Sequence, residues 1–133
     1  MASLVTFSQS KAKGPLRRLV FAWTSHTDGT VAGFVSASVI GKIAACLTIP
    51  GAGGVAPTAL YDVTILNNDG FDVLGGKGAY RSGTLAEQIV SAVPMGNGAI
   101  ASIGPVAVHG TLELRVANAG SGKQGTVVLL LEN

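Results

Sequence analysis

Apolar and polar side chains alternate repeatedly along this chain, which is the mark of a strand with one buried face. Leu112, Leu114 and Val116 fall on one side while Thr111, Glu113 and Arg115 fall on the other. Tyr61, Val63 and Ile65 alternate in the same way with Asp62 and Thr64, and Ile43, Ala45, Leu47 and Ile49 alternate with Ala44, Cys46 and Thr48. Leu19, Phe21 and Trp23 outline a further strand. Residues 126–131 are apolar on both parities, which suits a central strand covered on both faces, one of them by a neighbouring subunit.

Turn chemistry divides these strands. Asp28-Gly29 supplies the positive φ angles of a tight reversal before residues 30–38, and Asn68-Asp69-Gly70 does the same between residues 61–66 and 71–74. Both predict antiparallel hairpins, and residues 119–124 are expected to close another between the last two strands. Gly/Pro-rich residues 51–57 and Gly75-Gly76-Lys77-Gly78 are loops. Thr84 and Glu87 fit a helical capping box, with Leu85, Ile89 and Val93 at helical spacing. The same stretch, residues 84–93, also suits a strand, and a strand is favoured because so much else is sheet.

The fold expected is all-β: a single-domain antiparallel β-sandwich of about eight short strands with an N-terminal arm. A jelly roll is preferred to an immunoglobulin-like sandwich because the Cys–Trp–Cys signature is absent. Residues 1–18 form the arm and hinge, and residues 19–133 the sandwich. Within the arm, Leu4 and Thr6 alternate with Val5 and Phe7, so it can pair as a strand on its own domain or on a neighbour. Residues 8–16, rich in Ser, Lys, Gly and Pro, are the expected hinge.

Composition narrows the function. Of 133 residues, 12% are charged and 19 are glycine, about half the usual charge and twice the usual glycine for a soluble domain. A net charge of +2 is too mild for a specific nucleic-acid binder. The local exception is Lys11, Lys13, Arg17 and Arg18, four of the nine basic residues, all ahead of the first acidic residue, Asp28. They form either a solvated arm or a contact to an acidic surface. Residues 1–18 lack the apolar core of a signal peptide, so synthesis in the cytoplasm is expected. The apolar stretch 43–60 is broken by Pro50, Gly51, Gly53, Gly54 and Pro57, so no membrane partner is expected.

Candidate chemistry is sparse. Gly120-Ser121-Gly122-Lys123 resembles a P-loop, but Ala117 and Gln124 stand where the motif needs Gly and Ser or Thr. Ser25, His26 and Asp28 are the tightest nucleophile–base–acid grouping, and turn chemistry explains them better. His109 also sits at a turn. Asp62, Asp69 and Asp72 are too few for a calcium site and are better spent on turns and strand polarity. Cys46 is expected to be a buried structural thiol. No catalytic residue, metal or cofactor is expected, and the chain is read as a non-enzyme.

The body of the chain also carries a recognisable succession: Phe21-Ala22-Trp23-Thr24, Asp28-Gly29, Ala56-Pro57-Thr58, Tyr61-Asp62-Val63 and Asn68-Asp69-Gly70-Phe71-Asp72-Val73-Leu74. His109-Gly110, the run from Leu112 to Gly120, and Gly125-Thr126-Val127-Val128 complete it. It resembles small virion proteins encoded with the head genes of tailed bacteriophages, above all the jelly-roll cement (decoration) proteins of short-tailed phages. The resemblance implies a capsid-surface protein that bridges major capsid subunits and associates with itself as a homodimer or other homo-oligomer. Expected contact residues are Leu4, Val5 and Phe7 of the arm, the basic Lys11, Lys13, Arg17 and Arg18, and the Gly-flanked pair Tyr80 and Arg81. The alternative is a tail or fibre module recognising a receptor or carbohydrate, with Tyr80-Arg81 as its best candidate.

Overall fold

The computed structural model describes residues 3–11, 16–89, 92–93, 102–103 and 106–132. Its strands are β1 (Leu4–Lys11), β2 (Leu16–Thr24), β3 (Val31–Val35), β4 (Val39–Pro50), β5 (Asp62–Leu66) and β6 (Glu87–Ile89). They continue with β7 (Ala92–Val93), β8 (Ser102–Ile103), β9 (Val106–Gly110), β10 (Glu113–Ala117) and β11 (Gln124–Glu132). A 3-10 turn spans Gly53–Val55. The larger antiparallel sheet runs β1-β2-β11-β4, with β6 and β9 sharing the far side of β4. The smaller runs β3-β10-β5, and β7 pairs with β8 apart from both.

The two sheets enclose one core, so the chain is the all-β sandwich that its alternation predicts. Leu19, Phe21 and Trp23 of β2 and Val127, Leu129 and Leu131 of β11 meet Val63 and Ile65 of β5 and Leu114 and Val116 of β10. Aromatic rings join the layers: Phe7 of β1 lies 6.1 Å from Phe34 of β3, and Trp23 lies 5.7 Å from Tyr61 beside β5. Gly125 pairs with Trp23 across the ladder, and a Cβ there would overlap the indole. Residues 126–131 form the central strand expected of them, with Val128 on the opposite face also fully buried. Cys46 is buried as expected, which pushes its thiol up to about 12.

Several expectations need correction. The Asp28-Gly29 turn and residues 119–124 do not close hairpins, because β2 and β3, like β10 and β11, belong to different sheets. Both turns are corners, and they bond to each other. The Ser25 N–H donates to Lys123 O at 2.8 Å, and the Ala119 N–H donates to Gly29 O at 3.1 Å. Ile43 does not share a face with Ala45, because a bulge at Ala44 shifts the register with β11 and turns Ile43 into the core. Residues 71–74 contribute only an isolated bridge between Leu66 and Asp72. The Asp72 carboxylate instead accepts the N–H groups of Ile65, Leu74 and Gly76 at 3.2, 3.0 and 2.9 Å.

The strand preference at residues 84–93 holds over Glu87–Ile89, while residues 90–91 lie outside the described residues. The capping chemistry is real but displaced: Ser82 Oγ accepts the Leu85 N–H at 3.0 Å and Glu87 returns to the Ser82 N–H at 2.7 Å. Among the described residues eleven strands are assigned, two of them only two residues long, against the about eight expected. The expected hinge is the largest revision. Residues 4–11 pair continuously with residues 17–24, so the arm takes the first of its two expected pairings, on its own domain. Residues 8–11 of the expected hinge belong to β1 and residue 16 opens β2, while residues 12–15 lie outside the described residues. The alternation of residues 4–7 is satisfied on their own domain, because Val5 and Phe7 find apolar partners there.

Candidate functional site

The expected contact residues do not form one surface. Leu4 is 61% exposed on the outer side of β1, but Val5 and Phe7 face inward and pack on the core, Phe7 lying 5.0 Å from Phe21. Those two serve the core first, each keeping part of its surface at the edge strand. Arg17 and Arg18 point to opposite faces of β2, since Arg17 pairs in register with core-facing Leu131 and Arg18 with Leu130. Arg17 reaches Gln9 Oε1 at 3.4 Å, its Nε is buried without a hydrogen-bond partner, and its other end lies against Gly41. Lys11 ends β1 opposite Arg17, and Lys13 lies outside the described residues. The strand period therefore parts Arg17 from Arg18.

Tyr80 and Arg81 separate as well. The Arg81 guanidinium donates to Ala79 O at 3.2 Å and lies 3.7 Å from Glu87. Its main chain bridges Tyr61, with the Arg81 N–H donating to Tyr61 O at 2.7 Å and the Leu60 N–H to Arg81 O at 2.9 Å. Tyr80 remains 70% exposed on a left-handed backbone with φ of 59°. Its N–H donates to Asp62 Oδ1 at 3.0 Å, and Asn118 Nδ2 donates to Asp62 Oδ2 at 2.7 Å.

That carboxylate organises an unusual concentration of strain. Leu60, Tyr80 and Asn118 are the non-glycine residues with positive φ among those described; Tyr80 and Asn118 bond to Asp62, and Leu60, two residues before it, bonds to the Arg81 carbonyl. Asn adopts this region readily, whereas for Leu and Tyr it costs about 1–2 kcal/mol each. Leu60 is 61% exposed, so two large apolar side chains are held outward on backbone that opposes them. Periodicity marks neither Leu60 nor Asn118. The polar parity of Asp62 was legible, but not that its two oxygens would be claimed from residues 80 and 118.

The candidate catalytic groups are engaged in turns. Ser25 Oγ donates to Gly120 O at 2.6 Å and accepts the Lys123 N–H at 2.8 Å. His26 Nδ1 lies 3.3 Å from Asp28 Oδ1, and the Thr30 hydroxyl and N–H hold the Asp28 carboxyl below its usual range. Lys123 of the P-loop-like segment reaches Gly54 O at 3.1 Å, in a corner between strands. Asp62, Asp69 and Asp72 do not converge, and among the described residues no group of three His, Cys, Asp or Glu could hold a metal ion. Comparison with protein-family models, curated proteins and solved structures returned no match.

Proposed function

We propose that this chain is a structural protein of a tailed-phage virion, a cement protein that binds the outer face of the head and bridges major capsid subunits. The observation that carries the reading is the display of Leu60 and Tyr80 on left-handed backbone, Tyr80 held by Asp62 and Leu60 by the Arg81 main chain. A surface that retains strain to hold a tyrosine outward suits a protein partner, because tyrosine is among the residues that dominate interface energies. Asp62 has both oxygens occupied and Arg81 is paired with Glu87, so the anchors are ringed by satisfied polar groups. The pairings β2·β11, β3·β10 and β4·β9 are nested about the middle of the chain, which supports a jelly-roll wrapping.

The second reading is a tail or fibre module that recognises a sugar, favoured by the exposed Tyr80 ring beside Asp62 and Asn118. Each Asp62 oxygen already accepts one bond, from the Tyr80 N–H or from Asn118 Nδ2, which leaves a sugar only one lone pair on each. The test is the copy number of the chain relative to the major shell protein in purified particles, measured by quantitative mass spectrometry. A ratio near one, or a simple fraction of it, is the expected result. A few copies per particle would transfer the chain to a tail or fibre, and its absence from particles would end the virion reading.

A further inference from the structure

Among the described residues, each edge of the two larger sheets except that of β1 carries a device against strand addition. The outer side of β5 is occupied by residues 72–81: the Val63 N–H donates to Gly78 O at 2.8 Å, the Ile65 N–H to Asp72, and the Val73 N–H to Ile65 O at 2.8 Å. At the other side of the smaller sheet, β3 is five residues long, with a register break against β10 and Gly33 at φ of 83°. The far side of β4 is divided between β6, three residues long, and β9, five residues long. Short strands, bulges and covering loops are the usual protections of an edge.

Strand β1 has none of these. It is eight residues long, pairs with β2 in unbroken register, and among the described residues pairs with no other strand. Residues 4–10 contain no charge and no proline, and no bulge turns the edge away. Its alternate N–H and C=O groups face outward as a ready ladder.

We infer that a second copy of this chain adds to β1, edge to edge and antiparallel about a two-fold axis, joining the two larger sheets into one. The charge pattern suits self-pairing. The one charged residue of the strand, Lys11, stands at its end, so a two-fold pair sends the two lysines to opposite ends of the ladder. Parity fixes the register further, because residues opposite each other must share a face. A ladder centred on Phe7 sets Phe7 against its twin and Val5 against Gln9 on the inner face. On the outer face it sets Leu4 against Ser10 and Thr6 against Ser8. Phe7 is only half-buried in the single chain, and its twin would cover the remaining edge of the ring. The exposed Leu4 is covered in the same step.

This goes beyond the virion reading and does not need it, since the pair forms without a shell. Sedimentation equilibrium of the full chain over a wide concentration range tests it with two variants. Thr6→Lys with Ser8→Lys sets lysine against lysine twice across the two-fold axis, and should weaken the dimer about a hundredfold. Thr6→Lys with Ser8→Glu sets lysine against glutamate in the same register, and should restore it. Both positions are exposed, so thermal melting reports that the monomer fold survives. A wild-type chain that stays monomeric at all concentrations overturns the inference. So does a dimer indifferent to both variants, which would lie on another surface. A monomer whose β1 amides become protected from exchange only on shells would give the edge to the shell protein and equally overturn it. Copy number in particles is a separate reading, so failure of one does not imply failure of the other.

Discussion

Two parts of this molecule solve the same backbone problem in opposite ways. At the corner between the sheets, the left-handed positions belong to glycine: Gly29 at φ of 85° and Gly120 at 88°. Around Asp62 they belong to Leu60, Tyr80 and Asn118. At the corner, a Cβ on Gly29 would approach Gly120 N to 2.9 Å, so the residue is chosen by lack of space. Around Asp62, side chains that dislike the conformation are kept and point to solvent. Where glycine takes the angle the position serves the fold, and where a bulky residue takes it the side chain itself is wanted.

The sharpest way to break this contrast is Gly29→Ala. It combines a left-handed alanine with a backbone clash, and should cost about 2–4 kcal/mol in urea unfolding. A loss below about 0.5 kcal/mol would show that the corner has slack, and the contrast would lose its first half. Next in size is Asp62→Ala, which strips the acceptor from the Tyr80 N–H and from Asn118. Both donors lie near solvent, so the expected cost is about 1–2 kcal/mol. Asp62→Asn keeps one acceptor and should recover part of it.

Tyr80→Gly and Leu60→Gly should move stability the other way. Removing Cβ from a left-handed residue relieves about 1–2 kcal/mol of strain, against about 0.5–1 kcal/mol of added chain entropy. The expected net is a gain of up to about 1 kcal/mol for each, with shell co-sedimentation reduced. Stability gained while binding is lost is the signature of a displayed anchor. A stability loss would instead make these side chains part of the packing.

How far the sequence disclosed this arrangement follows from what periodicity can encode. Alternation reported which face of β2, β5 and β10 is buried, because Leu19, Val63 and Leu114 need only know inside from outside. It did not report which strands pair. Asp28-Gly29 has the residues of a hairpin turn, and the same residues make a corner once the 119–123 segment, ninety positions away, supplies the hydrogen bonds. Ala44 looks like any small strand residue, yet as a bulge it reverses the faces of everything before it in β4. The N-terminal strand was legible in the alternation of residues 4–7 but its length was not: Ser and Lys from residue 8 onward suggest a hinge, yet the main chain of residues 8–11 pairs as well as any other. Leu60 and Tyr80 were hardest to see, since nothing local asks for positive φ and their main-chain N–H groups are claimed from other segments, Tyr80 by the Asp62 carboxylate and Leu60 by the Arg81 carbonyl.

The smallest effect belongs to the corner and to acid. Thr30 donates from its hydroxyl at 2.6 Å and its N–H at 3.0 Å to Asp28 Oδ1, and these bonds lower the Asp28 carboxyl below its ordinary value of 3.8. A carboxyl depressed in the folded state contributes stability above its unfolded value and loses it as pH falls through the folded one. Asp28 is fully exposed, so solvent screens most of the gain and only a slight shift of the acid unfolding midpoint is expected. Thr30→Val deletes the stronger donor and should raise that midpoint slightly, whereas Asn118→Ala, at the other site, should leave it in place. If the two variants moved the acid limb together, the corner and the Asp62 cluster would be one cooperative unit, and the division of labour between glycine and bulky residues would no longer map onto two separate regions.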